Sequence, residues 1–357
     1  MEKLKDIYNV EFVDLLTEAV KKEYPDFNRT KCENFIFQRD WQELALKQRM
    51  RRITEALHAT LPKDYLEGLR ILHKVEPTLK EGLRGLIFPD YVEQYGINHW
   101  DQSMQALKTF TQFSTAEFAV RPFLLANLEK MITQLFEWST ETNEHVRRLA
   151  SEGARPRLPW GITVPALKEN PSLILPILEN LKRDPSLYVR KSVANNLNDI
   201  SKTHPELVRE IAEKWYGTHE HTDWIVKHAC RTLLKKGDQQ VLAIFGYEND
   251  EAITLDHFTC SDKVKIGEGI QFSFHVHATE NKKARIEYAI DYVKARGHRN
   301  RKVFKITETK LLSQQAKEYS KKHSFKDLST RIHYQGVHTI TIIINGTAKA
   351  SLDFEVI

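Results

Sequence analysis

Between His145 and Trp160 the chain reads HVRRLASEGARPRLPW. The guanidinium groups of Arg148, Arg155 and Arg157, the carboxylate of Glu152 and the indole of Trp160 fall within this stretch, and Pro156 and Pro159 restrict its backbone. Guanidinium groups grip phosphate through paired hydrogen bonds. The face of a tryptophan attracts a cation or a base. A pure phosphate binder gains nothing from an acid among its arginines, so Glu152 points to a cationic target. On a helical wheel of about 100° per residue, Val146, Leu149, Ala150 and Gly153 form one apolar stripe, with Arg148 and Glu152 on the other side. Pro156 disfavours helix at Arg155. The expected helix therefore ends there, presenting Arg148 and Glu152 and running into a stiff turn with Arg155, Arg157 and Trp160. The plainer alternative is a solvated helix face with an i, i+4 Arg–Glu pair and an ordinary loop.

A second acid closes the string DPSLYVRKSVANNLNDI at residues 184–200. Asp199 lies just off the packed stripe of Val189, Val193, Asn196 and Ile200. It either faces a site or pairs on the surface with Lys202 or Lys191. Asn195 and Asn196 are unusual inside a helix; they could order Asp199, bond to phosphate or pack between helices. The most basic stretch is KARGHRNRK at 294–302. It is expected as a loop around Gly297, with Arg296, Arg299, Arg301 and Lys302 suited to phosphates or a minor groove. Lys310–Lys326 is also basic and reads as a spacer or short helix. His219, His221 and His228 lack cysteine partners and HExxH spacing, so no metal is expected. No GxxxxGK[ST] loop or GxSxG turn is present, which excludes the common nucleotide cradle and serine-nucleophile patterns.

These groups need a scaffold. A chain of 357 residues suggests two or three domains at about 150 residues each. Hydrophobic residues make up 41% and charged residues 28%, outside the ranges of disordered and membrane chains. The longest apolar runs, Leu173–Leu178 and Ile340–Ile344, are far short of the roughly 20 residues of a spanning helix. The first residues, MEKLKDIYNVEFVD, lack the apolar core of a signal peptide. Cys32, Cys230 and Cys260 are widely spaced and odd in number, which fits a reducing cytoplasm. No membrane partner is expected.

Up to about residue 245 the apolar residues recur at i, i+3, i+4 and i+7, as in helices. Aligning Val120, Val146, Val189 and Val226 places Arg121, Arg147, Arg190 and Lys227 in register, at spacings of 26, 43 and 37 residues. The last two spacings are close to the roughly 40–47 of HEAT-type repeats. Arg190 on this row and its neighbour Lys191 are candidate phosphate contacts. Near Asp250 the pattern changes to alternation with glycine turns. Ala284–Lys294, Lys302–Thr307, Arg331–His333, His338–Ile344 and Ser351–Val356 read as strands, part of about seven, a number suited to an immunoglobulin-like sandwich. The expected fold is an α-helical HEAT-like repeat solenoid over residues 1–250, followed by a smaller all-β immunoglobulin-like sandwich over 251–357. From residue 251 onward there are 18 lysines and arginines against 12 acids, and before it 35 against 36. A basic module on a neutral body calls for an anionic partner.

The strings RRLASEGxRPRLPW and DPSxxVRKSVANNLNDI, set in helical repeats, closely resemble the AlkC branch of the AlkC/AlkD-type DNA alkylation-repair glycosylases. Some members of that branch carry an immunoglobulin-like domain after the repeats. The resemblance implies a monofunctional glycosylase that excises 3-methyladenine and 3-methylcytosine from double-stranded DNA, as a monomer, without metal or nucleotide cofactor. It also implies that the lesion is reached without flipping it into a deep pocket. Carried to matching positions, Glu152 and Asp199 would be the carboxylates beside the lesion and Trp160 the aromatic contact. Glu117 would be a further acid, with Arg148 and Arg155 holding the DNA backbone. The alternative is a non-enzymatic helical-repeat scaffold that binds nucleic acid or a protein. Glu152 among the arginines separates the two.

Overall fold

The computed structural model describes residues 4–79, 82–248, 251–328 and 331–357. Asp250, the expected boundary, lies outside the described residues. The α-helices are α1 (Val10–Glu23), α2 (Arg29–Ile36), α3 (Leu46–Thr60), α4 (Tyr65–Leu79), α5 (Ile87–Tyr95), α6 (Trp100–Phe110), α7 (Val120–Ala126) and α8 (Leu128–Trp138). They continue as α9 (Glu144–Gly153), α10 (Pro165–Glu169), α11 (Leu175–Leu181), α12 (Leu187–Ile200), α13 (Pro205–Trp215), α14 (Glu220–Ala229), α15 (Arg231–Lys236) and α16 (Gln239–Ile244). Polar caps explain several of the starts. The side chains of Asn9, Asn28, Asn127, Asn143 and Asp238 each accept a backbone N–H of the first turn, satisfying a donor the helix leaves open. Among the described residues no helix is long and apolar enough to cross a membrane, and the three cysteines are free.

The chain divides into two compact units, Met1–Thr203 with Gly217–Ala229, and His204–Tyr216 with Cys230–Ile357. In the first unit the repeat register has a physical basis. Arg147 Nη1 donates to the carbonyls of Glu141 and Thr142, at 2.9 and 2.6 Å. Arg190 Nη1 does the same to Asp184 and Pro185, both at 2.8 Å. Each arginine thus fastens the turn that enters its own helix, from the same offset. Between the two helices, Asn196 Nδ2 donates to the Ser151 carbonyl at 2.9 Å and Ser192 Oγ to Ser151 Oγ at 3.0 Å. Of the three readings of Asn196, packing between helices is the one observed.

The second unit joins α13, α15 and α16 to eight strands: β1 (Ile253–Cys260), β2 (Lys263–Val264), β3 (Gly269–Ala278), β4 (Lys282–Val293), β5 (Arg299–Leu311), β6 (Ala316–Ser324), β7 (Gly336–Ile344) and β8 (Thr347–Val356). They form sheets of order β1-β3-β6 and β2-β8-β7-β4-β5, antiparallel except for β2 with β8. Alternate residues of both sheets, among them Phe272, Phe274, Ile286, Ile290, Ile342 and Phe354, meet in one core. The helices attach closely. Gly237 ends α15 at φ 73°, and a Cβ there would lie 2.8 Å from the Gly346 carbonyl oxygen. Asn345 Nδ2 donates to the Glu248 carbonyl at 2.7 Å.

Three expectations for the sandwich need correction. Lys310–Lys326 is not a spacer or helix: most of it is strand β6. That strand borders its sheet, and its lysines line an edge where charge discourages further pairing; among residues 312–326 only His323 and Phe325 are buried. Arg331–His333 is not a strand. Arg331 makes an isolated bridge with Leu328, and the His333 N–H goes to Asp327. The basic loop is shorter than expected, because Arg299, Arg301 and Lys302 already lie on β5, paired with β4.

Candidate active site

Helix α9 ends at Gly153, where the chain passes close to α7. A Cβ on Gly153 would stand 2.6 Å from Val120 Cγ2. The following loop is fixed by Arg121, which is 1% exposed. Its Nη1 donates to the carbonyls of Gly153 and Arg155, at 3.0 and 2.8 Å, and its Nε to that of Ile162 at 2.9 Å. Burial, with the charge of Arg155 adding to it, pushes the Arg121 guanidinium down to about 10.

The loop returns Arg155 between two acids. Its Nη1 donates to Glu152 Oε1 at 2.8 Å and its Nε to Asp199 Oδ2 at 2.9 Å. Both acids are buried, with Glu152 6% and Asp199 1% exposed. Lys202 Nζ takes the other oxygen of Asp199 at 2.9 Å, so the surface pairing expected for Asp199 is half right: Lys202 is its partner, and the acid itself is buried. Arg148 Nη2 lies 3.5 Å from Glu152, but its nearer partner is Glu117. There Nη1 donates to Oε2 at 2.7 Å and to Thr115 Oγ1 at 2.7 Å, and the guanidinium rests 4.8 Å above the Tyr188 ring. Burial raises Glu117 above the usual carboxylate range despite the opposing pull of Arg148. Burial works to lower Arg148 and Arg155, but their carboxylates outweigh it and hold both above the ordinary arginine value.

The cluster is thus Glu117, Glu152 and Asp199 against Arg148, Arg155 and Lys202. Such an array can hold carboxylates fixed out of bulk water, so that a positive charge developing beside them meets preorganised partners. Trp160 is 61% exposed and takes φ 64°, a region bulky side chains avoid at a cost of about 1–3 kcal/mol. Its carbonyl accepts Lys47 Nζ of α3 at 3.0 Å, and Pro159 beside it is exposed. The strain therefore presents an indole to solvent.

Each expected site residue has a place. Glu117, Glu152 and Asp199 come together, and Trp160 projects from the loop that follows. Arg148 and Arg155 are turned inward onto acids, so clamping a DNA backbone is not their visible role. The solvated Arg148–Glu152 pair is corrected too, since Glu152 is buried and the half-buried Arg148 has Glu117 as its nearer partner. Arg157 and Lys191 are exposed. Arg190 gives its Nη1 to the carbonyls of Asp184 and Pro185 at the start of its own helix. In the second unit, Arg301 pairs with Asp291 at 2.9 and 2.8 Å, and Arg299 donates to Thr339 Oγ1 at 2.8 Å. Arg296 and Lys302 instead line an open groove of about 610 Å³ with Lys294, His298, Arg331 and Tyr334. Partial burial and the charges of Arg331 and Lys294 lower the Lys302 ammonium. Sequence reasoning assigned no role to Arg121, Lys47 or Arg331. Arg121 stood in the repeat register, but nothing local signals that it reaches the loop after α9, two helices further on.

Helical repeats hold buried acids against guanidinium groups, and an all-β sandwich follows them in the chain. A family model described as DNA alkylation repair enzyme matches residues 89–233, and one described as Uncharacterised protein YhaZ, C-terminal Ig-like domain, matches 254–357. The chain is 61% identical to the protein YhaZ of Bacillus subtilis (strain 168), over 100% of both chains. It superposes with a TM-score of 0.97, at 40% identity and 100% coverage of both chains, on the Pseudomonas fluorescens alkylpurine DNA glycosylase AlkC bound to DNA containing an abasic site analog. The chain belongs to the AlkC branch of the DNA alkylation repair enzymes.

Proposed function

We propose that this protein is a monomeric DNA glycosylase that hydrolyses the N-glycosidic bond of cationic alkylated bases, 3-methyladenine and 3-methylcytosine, in double-stranded DNA. The observation that carries the reading is the buried Glu152–Arg155–Asp199 array, followed in the same loop by the exposed Trp160. An N3-alkylated base is positively charged, so it leaves as a neutral base carrying the bonding electron pair and needs no acid to protonate it. The sugar is left with oxocarbenium character. Glu152 and Asp199 stabilise that charge, and one of them takes a proton from the attacking water, the logic of glycoside hydrolysis without the leaving-group acid. Arg155 fixes both carboxylates; Arg148 does the same for Glu117. An indole over a cationic base or sugar adds about 0.5–2 kcal/mol. An exposed Trp160 suits contact with a lesion still in the duplex better than a wall of a deep pocket.

Phosphate contacts fall to cations that pair with no carboxylate among the described residues; Arg331 rests over the Tyr292 ring. Arg157 beside Trp160 and the groove of Lys294, Arg296, Lys302 and Arg331 are the candidates, since an anion relieves the mutual repulsion within that groove. The experiment is base release from methylated duplex DNA, with alkali then cutting the abasic sites. Release of 3-methyladenine and 3-methylcytosine, with strand cutting only after alkali, is expected. Tight DNA binding without base release would favour the non-enzymatic scaffold.

A further inference from the structure

A cluster in the second unit lies outside this chemistry. Asp256 of β1 stands opposite His275 of β3. In an unbroken strand the next residue, His257, would point to the opposite face. The register slips between Asp256 and Thr259, so that His257 and Phe258 together oppose Phe274. His257 sits in this bulge at φ 48°, the left-handed region that glycine fills most readily. The consequence is that two consecutive residues present side chains to one place. Asp256 Oδ1 lies 3.9 Å from His257 Nε2 and 3.7 Å from His275 Nδ1. The donor atoms of the three residues all fall within 4.8 Å of one another. His277, on the same face of β3, brings Nε2 to 2.9 Å from Asp256 Oδ2. That nitrogen is buried, yet it is not aligned for a hydrogen bond.

We propose that Asp256, His257 and His275 form a binding site for a zinc-class divalent cation, with His277 against the second carboxylate oxygen. Two imidazoles and a carboxylate suit zinc and its transition-metal neighbours, whereas calcium and magnesium require oxygen ligands. Tetrahedral bonds of about 2.0–2.1 Å place donors about 3.3 Å apart. The observed separations close to that by small side-chain rotations. A fourth position stays open to water. Bulges also serve to blunt outer strands, and β1 is an outer strand of its sheet. That duty needs no histidine in a conformation suited to glycine, and no second and third histidine facing it. A bound cation ties β1 to β3 across the slip, so its effect is on stability of the sandwich.

The test uses the full-length, tag-free protein, stripped with chelator and titrated with zinc chloride by calorimetry and by thermal unfolding. One zinc per chain and an upward shift of the unfolding midpoint are expected. Asp256→Asn and His275→Ala should weaken binding by about tenfold or more, with excision unchanged. His257→Gly is the decisive variant. It relieves the backbone, so the metal-free midpoint should hold or rise, while the zinc-dependent shift shrinks. Absence of saturable zinc binding, or equal affinity in all three variants, would overturn the proposal and leave the bulge as an edge device.

Discussion

Arg155 Nε and Asp199 Oδ2 are 2.9 Å apart across 44 residues of sequence, and the same guanidinium holds Glu152. One side chain thereby sets the spacing of two buried acids. Glu152→Gln or Asp199→Asn should each lower base excision about tenfold to a thousandfold, the scale for removing one preorganised electrostatic group. DNA affinity should hold or rise as an anion is lost near phosphate. Single-turnover excision on methylated DNA checks this; wild-type rates in both variants would take these acids out of the reaction.

Arg148 and Arg157 should behave differently although both stand near Glu152 in sequence. Arg148→Ala strands the buried Glu117 carboxylate, and losing one partner of such a pair costs about 3–5 kcal/mol. Adding Glu117→Gln should restore much of that. Arg157→Ala should leave stability alone and flatten the salt dependence of DNA binding by about one unit. Denaturant midpoints and binding at several salt concentrations separate the two; a flattened slope for Arg148→Ala alone would return that arginine to the phosphate backbone.

Replacing Lys294, Arg296, Lys302 and Arg331 together with glutamine should weaken binding to damaged and undamaged duplex alike, most at physiological salt, and recover part of the loss at low salt. Removing residues after 250 is a poorer experiment. Asn345 and Gly346 pack on the chain from Gly237 to Glu248, so that cut would expose the last helices. Circular dichroism with excision at two salt concentrations reads the outcome; full activity in the quadruple variant would make the groove incidental.

His323 predicts an acid-sensitive sandwich. Its Nδ1 and Nε2 lie 2.8 and 2.6 Å from the hydroxyls of Tyr288 and Tyr292. Burial, then the charges of Arg331 and His333, lower it to about 4. An unfolded histidine takes a proton near 6.5, so between these values the unfolded chain binds more protons. Stability should be full above about pH 6.5 and fall by about 3 kcal/mol as the pH drops towards 4. His323→Phe should flatten that part of the profile, measured by urea unfolding at pH 7, 5.5 and 4.5.

Much of this molecule is written locally. Periodicity marks the helices, alternation marks β4, β7 and β8, and the strings at 145–160 and 184–200 mark Glu152, Trp160 and Asp199, because each depends on neighbours a few residues away. Glu117 was visible only through resemblance. What the sequence left open depends on distant partners. Whether Arg148 and Arg155 face phosphate or acid is decided by Glu117 and Asp199, which only the stacking of α9 against α12 and the chain before α7 brings near. Arg121 holds the loop after α9 through backbone carbonyls, which carry no residue identity to read. Strand β6 looked like a spacer because an edge strand shows its lysines to water. The bulge at His257 left no signal either: a slip of one residue is settled by pairing with β3, and it alone turns that histidine towards Asp256.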